Sequence, residues 1–457
     1  LPNGKDLRAL DRNHIWHPFT PMRAWQEEEF PIIARGEGSF LFDTGGNRYL
    51  DGVSSLWVTL HGHNHPHITR AIAEQAARIS HSTLLGLTSE PVCVLAERLL
   101  KVAPPALNRV FFSDNGSTAV EIALKMAYQF RRLSPDPAER ARTGFVSFRN
   151  AYHGDTLGAV SVGGMDLFHG AFRDLLFPVE FSEYPYYYRF GPPRSRESYL
   201  AHCLEGLEEL VRAKACSLGA LIIEPLVQGA GGMVMAEKGF LAGVRTICDR
   251  YGLLLIADEV ATGFGRTGRM FACEHESVSP DLLCCAKGLT GGYLPMAATL
   301  VRESIYERFL GAPDAPVTFY HGHSFTGNQL GAAAALASLD IFEKERVLER
   351  MQPRIDLLRR TLQLEVATLE HVGEVRQLGF MVGIELVADR DTRESWPAGL
   401  RLGHRVVLEA RRRGLIIRPL GDVIVLMPHL SFNEDELLQT VQITAESIEA
   451  AVRGLRR

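Results

Sequence analysis

The sequence has no apolar run near the roughly 18 residues that a membrane-crossing helix needs. Its most apolar stretches, around residues 253–257 and 331–337, are short. Neither sign of charge is in large excess. Lys+Arg number 49 against 54 Asp+Glu, a formal net charge of −5 at pH 7, which argues against a protein devoted to nucleic acid. Cysteine is scarce, with seven in 457 residues and no C-x-x-C spacing. An odd number in a long chain predicts reduced thiols in a cytoplasmic protein, not a disulfide framework. The opening Leu1-Pro2-Asn3-Gly4-Lys5 lacks an apolar signal core, which also predicts a protein that is not secreted. There is no internal repeat and no low-complexity tract. With 46% hydrophobic residues, disorder is excluded as the main state.

What is present is a chain long enough for about two to three domain-sized units. Residues 1–60 are aromatic and loop-rich, with a hairpin expected over 36–51 around Thr44-Gly45-Gly46-Asn47. From 64 to 330, short apolar runs alternate with helical stretches. The runs are 109–112, 145–148, 179–181, 220–223, 253–257, 282–286 and 297–301. Most lack polar alternation, as strands buried on both faces do. The expected fold is α/β, a large domain with a mostly parallel sheet of about seven strands. Helices are expected at 69–79, 89–101 and 117–132. After 330 the pattern predicts a smaller α+β unit: helices at 331–342, 345–365 and 402–413, strand runs at 374–378, 381–386, 415–418 and 423–427, and a last helix from about Asn433. The expected division is an N-terminal segment (1–63) packing with the small domain, a large domain (64–330) and a C-terminal small domain (331–457).

Ligands of open α/β sheets bind beyond the carboxyl ends of the strands. Five polar groups follow the apolar runs: Asn115-Gly116-Ser117, Tyr152-His153-Gly154, Glu224-Pro225, Asp258-Glu259 and Lys287. Lys287 stands between an apolar run and a glycine-rich loop, where desolvation lowers an ammonium pKa and makes a usable amine nucleophile. On its own it reads more readily as a surface lysine at a strand end, since most lysines are exposed. Asp258 ends another apolar run 29 residues earlier, and a buried carboxylate costs energy unless a cation meets it. A strand-end Asp with a strand-end Lys suits pyridoxal phosphate: the lysine forms a Schiff base and the aspartate keeps the pyridine nitrogen protonated. The alternative is a plain ion pair. Gly116 and Ser117 open a helix and offer N–H groups and a hydroxyl to a phosphate, or simply form a cap. Tyr152 could stack on a flat ring, or be a half-buried loop residue. Two further motifs invite over-reading. The G-x-G-x-x-G at 263–268 lacks a clean βαβ context for a dinucleotide. The histidines 61, 63, 65 and 67 lack metal-site spacing and read as a polar loop before a helix.

With these residues placed, the chain resembles, over nearly its whole length, the class III (ω-amino-acid type) aminotransferases of fold type I. The most specific stretch is "LIADEVATGFGRTG" followed by "LLCCAKGLTGG". Further matches are "HIWHPFTPM", "DGVSSLWVTLHGHNHP", "HSTLLGLTSEP", "AYHGDTLGAVSVG", "EPLVQGAGGM" and "IRPLGDVIVLMP". These last point to the branch that aminates 8-amino-7-oxononanoate on the route to biotin by a ping-pong reaction. The resemblance implies pyridoxal 5'-phosphate as cofactor, Lys287 as its covalent anchor and proton shuttle, and Asp258 as partner of its pyridine nitrogen. It implies Gly116 and Ser117 as phosphate ligands, Tyr152 as cover for the ring, and Ser324 as a phosphate ligand reaching in from the other subunit of a homodimer. Trp57, Phe19 and Gly322 would line the substrate site, and Arg418 would hold the far carboxylate of the keto acid, unless it pairs with Asp422. Ala230 stands where ornithine- and 4-aminobutyrate-type relatives carry a glutamate. Phe19, Leu56 and Val425 replace two tyrosines and a tryptophan of the enterobacterial pattern, so the donor stays open between S-adenosylmethionine and lysine. Another class III transaminase, or an aminomutase using the same cofactor, would share Lys287 and Asp258.

Overall fold

The computed structural model describes residues 6–455; the opening pentapeptide, read above for a signal core, lies outside them. At its centre is a seven-stranded sheet. In chain order its strands are β1 (Leu107–Ser113), β2 (Gly144–Phe148), β3 (Glu180–Ser182), β4 (Leu218–Ile223), β5 (Leu254–Asp258), β6 (Leu282–Cys285) and β7 (Ala297–Arg302). Across the sheet they run β1-β7-β6-β5-β4-β2-β3. β7 is antiparallel to both neighbours and every other pairing is parallel. Each of the seven apolar runs is thus a strand of one sheet.

The absence of polar alternation has a direct cause. Successive strand side chains point to opposite faces, and both faces are covered. Ala220, Ile222, Leu254, Ile256, Leu282 and Cys284 pack with Ala119, Val120, Ala123 and Leu124 of the helix Gly116–Arg132. Leu221, Ile223, Leu255 and Ala257 face the other way, onto Leu207 and Val211 of Arg196–Ala213 and Leu241 and Val244 of Phe240–Tyr251. All residues of β4, β5 and β6 are buried.

Two smaller sheets flank this layer. Residues 36–51 form more than a hairpin: Ile33–Glu37, Phe40–Asp43 and Arg48–Asp51 make an antiparallel meander. Its last strand pairs in parallel with Leu415–Ile416. The other sheet is antiparallel, in the order Val372–Leu378, Met381–Leu386, Val423–Leu426, Arg418–Leu420. The expected single run at 415–418 is therefore two strands in two sheets. Ile417 carries the chain between them, and Pro419, which has no N–H to donate, lies on an edge strand. Among the described residues no helix is long and apolar enough to cross a membrane, and all seven cysteines are free.

Candidate active site

The five polar groups converge because parallel strands deliver their carboxyl ends to one edge of the sheet. Asp258 is the last residue of β5 and lies in register with Cys284 of the neighbouring β6. Lys287 follows two residues after that strand. Glu224 follows β4, Tyr152 and His153 follow β2, and Gly116 follows β1.

Asp258 is buried and is met by His153, whose Nδ1 lies 2.7 Å from Asp258 Oδ2. Its other oxygen accepts the Val260 N–H at 3.1 Å. His153 is itself buried, and its Nε2 has no partner among the described residues. Glu224 accepts the N–H groups of Tyr152 and Gly229, each at 3.0 Å. Burial, with Asp258 close by, pushes its carboxyl up to about 7 although His153 opposes the rise. Lys287 has a left-handed backbone (φ +38°), and its Nζ lies 5.2 Å from the centre of the Trp57 ring. Burial lowers its proton affinity, Arg266 adds to that, and Asp258 and Glu224 pull the other way. An amine so placed is readier to react than an exposed lysine.

At the helix start, Asn115 and Thr118 form a reciprocal capping box. That leaves the N–H groups of Gly116 and Ser117 unbonded among the described residues, at the positive end of a 17-residue helix. Gly116 is required here, since a Cβ would lie 2.6 Å from Val260 Cγ1. Ser117 Oγ accepts the Asp155 N–H at 3.0 Å. The hydroxyl of Ser113, buried nearby at the end of β1, has no partner among the described residues. Tyr152 donates to Asp155 at 2.8 Å, and burial, reinforced by Asp155, keeps its phenol protonated.

The expected substrate residues divide. Trp57 is buried, with φ +65°, at the end of a turn whose Ser54 and Ser55 are also left-handed. Such residues cost about 1–3 kcal/mol each, so the surrounding contacts must hold the turn. Arg418 is half-buried in an edge strand, opposite Val425. Asp422 instead accepts the Gly403 N–H, and Arg418 makes no ion pair among the described residues; burial lowers its proton affinity. Val425 shares an apolar cluster with Trp57. Phe19 is exposed and reaches the site through Phe168, which touches both its ring and that of Tyr152. Gly322 and Ser324 stand apart and are exposed. Their segment lies against the chain's own cap region through His323–Asp114 at 3.0 Å, and the Ser324 carbonyl accepts from His81.

A family model for class III aminotransferases matches residues 22–448. The chain belongs to the class III aminotransferases. It is 55% identical over 448 residues to an adenosylmethionine-8-amino-7-oxononanoate aminotransferase from Nitratidesulfovibrio vulgaris, covering 98% of this chain and 81% of that protein. The crystal structure of the enzyme of that name from Methanocaldococcus jannaschii superposes with a TM-score of 0.92 at 45% identity, covering 97% and 98% of the two chains. An ω-transaminase from Pseudomonas jessenii, solved in complex with PMP, superposes with a TM-score of 0.94 at 30% identity, covering 99% of each.

Class III aminotransferases depend on pyridoxal phosphate, and the site suits it. There are two unbonded N–H groups and a free hydroxyl for a phosphate, a buried carboxylate for a ring nitrogen, and an amine whose Nζ makes no hydrogen bond among the described residues. Sequence reasoning placed His153 and Glu224 among the five strand-end groups but gave neither a role or a partner. Nothing local marks His153, because its partner lies 105 residues away. The four histidines of 61–67 each find a separate partner: Ser338, Asp51, Glu345 and Asp340.

Proposed function

We propose that this chain transfers an amino group from a donor to 8-amino-7-oxononanoate, giving the 7,8-diamino acid of biotin synthesis. What carries the reading is the placement of Lys287 and Asp258 on adjacent strand ends, beside an apolar wall containing Trp57 and Val425 and an Arg418 that makes no ion pair among the described residues. A medium-chain acid with a reactive carbonyl and a distant carboxylate fits that combination. The relatives that carry this name match the chain along its length.

Lys287 would anchor pyridoxal phosphate, Gly116 and Ser117 would hold its phosphate, Tyr152 would cover its ring, and Asp258, steadied by His153, would accept from its pyridine nitrogen. Bound there, the cofactor supplies an aldehyde carbon for the amino group and an electron-accepting ring. The chain's own residues do the rest. Lys287 Nζ takes the proton from the donor's amine-bearing carbon in the first half-reaction and delivers one to the acceptor carbon in the second. Arg418 grips the acceptor carboxylate with two hydrogen bonds and so sets which carbonyl faces Lys287. Trp57, Phe19 and Gly322 border the acceptor's path, and Ser324 reaches the phosphate of a second copy, making the working unit a homodimer. The division into 1–63, 64–330 and 331–457 and a cytoplasmic location belong to the same reading.

The test supplies purified enzyme with 8-amino-7-oxononanoate and either S-adenosylmethionine or lysine, and measures the diamine. Diamine formation with one donor, lost in Lys287→Ala, supports the reading. Failure with both donors overturns it. Amination that needs no donor would mean an aminomutase instead. Phe19, Leu56 and Val425 keep lysine beside S-adenosylmethionine as donor.

A further inference from the structure

One tight turn beside the site is held from two directions. Val227–Gln228 and Val234–Met235 pair as a short hairpin. Residues 229–233 close it, with the Gly229 carbonyl accepting the N–H groups of Gly232 at 3.2 Å and Met233 at 2.9 Å. Gly232 and Met233 are both left-handed, with φ of +111° and +52°. That conformation is costly for a methionine, so the surrounding contacts must impose it. Toward the site, the Gly229 N–H reaches Glu224, whose second oxygen takes the Tyr152 N–H. Gly231 packs on the chain that leads into Tyr152: a Cβ there would lie 2.8 Å from the Asn150 carbonyl.

From the other direction the turn meets Arg376, which belongs to the strand Val372–Leu378 of a smaller sheet and is 6% exposed. Its Nε donates to the Met233 carbonyl at 3.1 Å and its Nη2 to the Gly232 carbonyl at 2.7 Å. Its Nη1 serves Glu374 at 2.8 Å, the Tyr186 hydroxyl at 3.0 Å, and Glu385. Glu385 is fixed in turn by Arg189 Nε at 2.6 Å and by the Tyr186 hydroxyl. The guanidinium is thus anchored through one nitrogen, and its other two donors grip consecutive carbonyls of the turn. A lysine would keep the charge but lose that paired edge. The neighbouring strand leaves room for the contact at Gly383, where a Cβ would lie 2.8 Å from Met233 Cβ and 3.1 Å from the Gly232 carbonyl oxygen.

We propose that Arg376 is a positioning residue for the cofactor ring. By fixing the 229–233 turn it fixes Glu224, and through Glu224 the backbone of Tyr152. This rests on the reading of Tyr152 as the cover of that ring. A strand outside the central sheet thereby sets one wall of a site whose reacting residues stand on the central sheet.

The test uses Arg376→Lys and Gly383→Ala, with unfolding temperature confirming that each folds. Gly383→Ala leaves every charge in place and presses a methyl against the same turn, so it decides the matter should Arg376→Lys not fold. In the apoenzyme, amide hydrogen exchange is expected to quicken at Gly229 and Tyr152, whose N–H groups Glu224 holds, and to stay unchanged in the helix Phe240–Tyr251. In the holoenzyme, pyridoxal phosphate should be held about tenfold more weakly. The visible circular dichroism of the bound cofactor, which reports its ring orientation, should change with it. The weakening should vanish in a Tyr152→Ala background, since residues acting through one another are not additive. Unchanged exchange at Tyr152, or cofactor losses that multiply independently, would make Arg376 a brace for its own sheet alone and overturn the proposal. The exchange readout needs neither cofactor nor substrate, so it stands or falls separately from the proposed reaction.

Discussion

Arg418 brings a full charge into a half-buried strand without a carboxylate to meet it among the described residues, and burial lowers its proton affinity. An unpaired guanidinium of this kind gains most when a ligand carboxylate arrives. Arg418→Ala is therefore expected to raise the acceptor KM by about a hundredfold, with kcat changed far less, and Arg418→Lys to recover only part because the two-pronged geometry is lost. Steady-state kinetics with the acceptor varied checks this. Glu224 offers a pH test. Its folded carboxyl is raised to about 7 from an ordinary 4.5. A raised acid contributes stability that is fully present below its unfolded value and is lost as pH rises through the folded one. Stability should thus fall between about pH 4.5 and 7, by on the order of 3 kcal/mol. Thermal melts across that window should show a flatter slope for Glu224→Gln. Lys287 and Asp258 could be picked out in the sequence because each ends an apolar run. His153, Glu224 and Arg266 could not be assigned partners, since what each one touches is fixed by the topology and not by neighbouring letters.

Strands β4, β5 and β6 were legible as elements because burial on both faces removes polar positions and leaves bare apolar runs with polar ends. The boundary inside 415–418 was not, because Ile416 and Ile417 are both apolar while the chain passes from one sheet to another. The left-handed turn at Ser54–Trp57 was invisible for a related reason: no glycine occupies it, and its conformation is imposed by Asp51, Arg266 and Met427. The helix Gly116–Arg132 shows the opposite case, a start signal that also builds the site. Gly116→Ala should press its new methyl against Val260, 2.6 Å away, and turn the free N–H groups from their aim. The expected result is a loss of about 1–3 kcal/mol in stability together with weaker cofactor retention. Val260→Ala in the same chain should restore much of both, as measured by melts and by the absorbance of bound cofactor after dialysis.

At the scale of the whole molecule, the segment bearing Ser324 belongs to an exposed apolar face. Leu85 is 88% exposed, Tyr320 85% and Phe325 59%, and residues 81–87 pack on this segment through His81 against Phe325 and Leu84 against Gly327. Large exposed apolar side chains on two segments that touch each other fit a contact surface, and a second copy of the chain is the partner that would also bring Ser324 to a phosphate. Under two-fold symmetry each site would then combine Lys287 of one copy with the 322–324 segment of the other. Hence two inactive variants should complement. Lys287→Ala removes the amine, and Gly322→Trp, at an exposed glycine with open space around its Cα, obstructs the site of the neighbouring copy. Mixed and allowed to exchange, they form hybrids in which one of two sites has both an intact Lys287 and an unobstructed segment. Random pairing makes half the dimers hybrid, so activity should recover to about a quarter of the wild-type value. Recovery should follow the rate of subunit exchange. Gly322→Trp chains that stay fully active, or mixtures that stay silent while exchange is demonstrated by mass, would mean that each chain completes its own site.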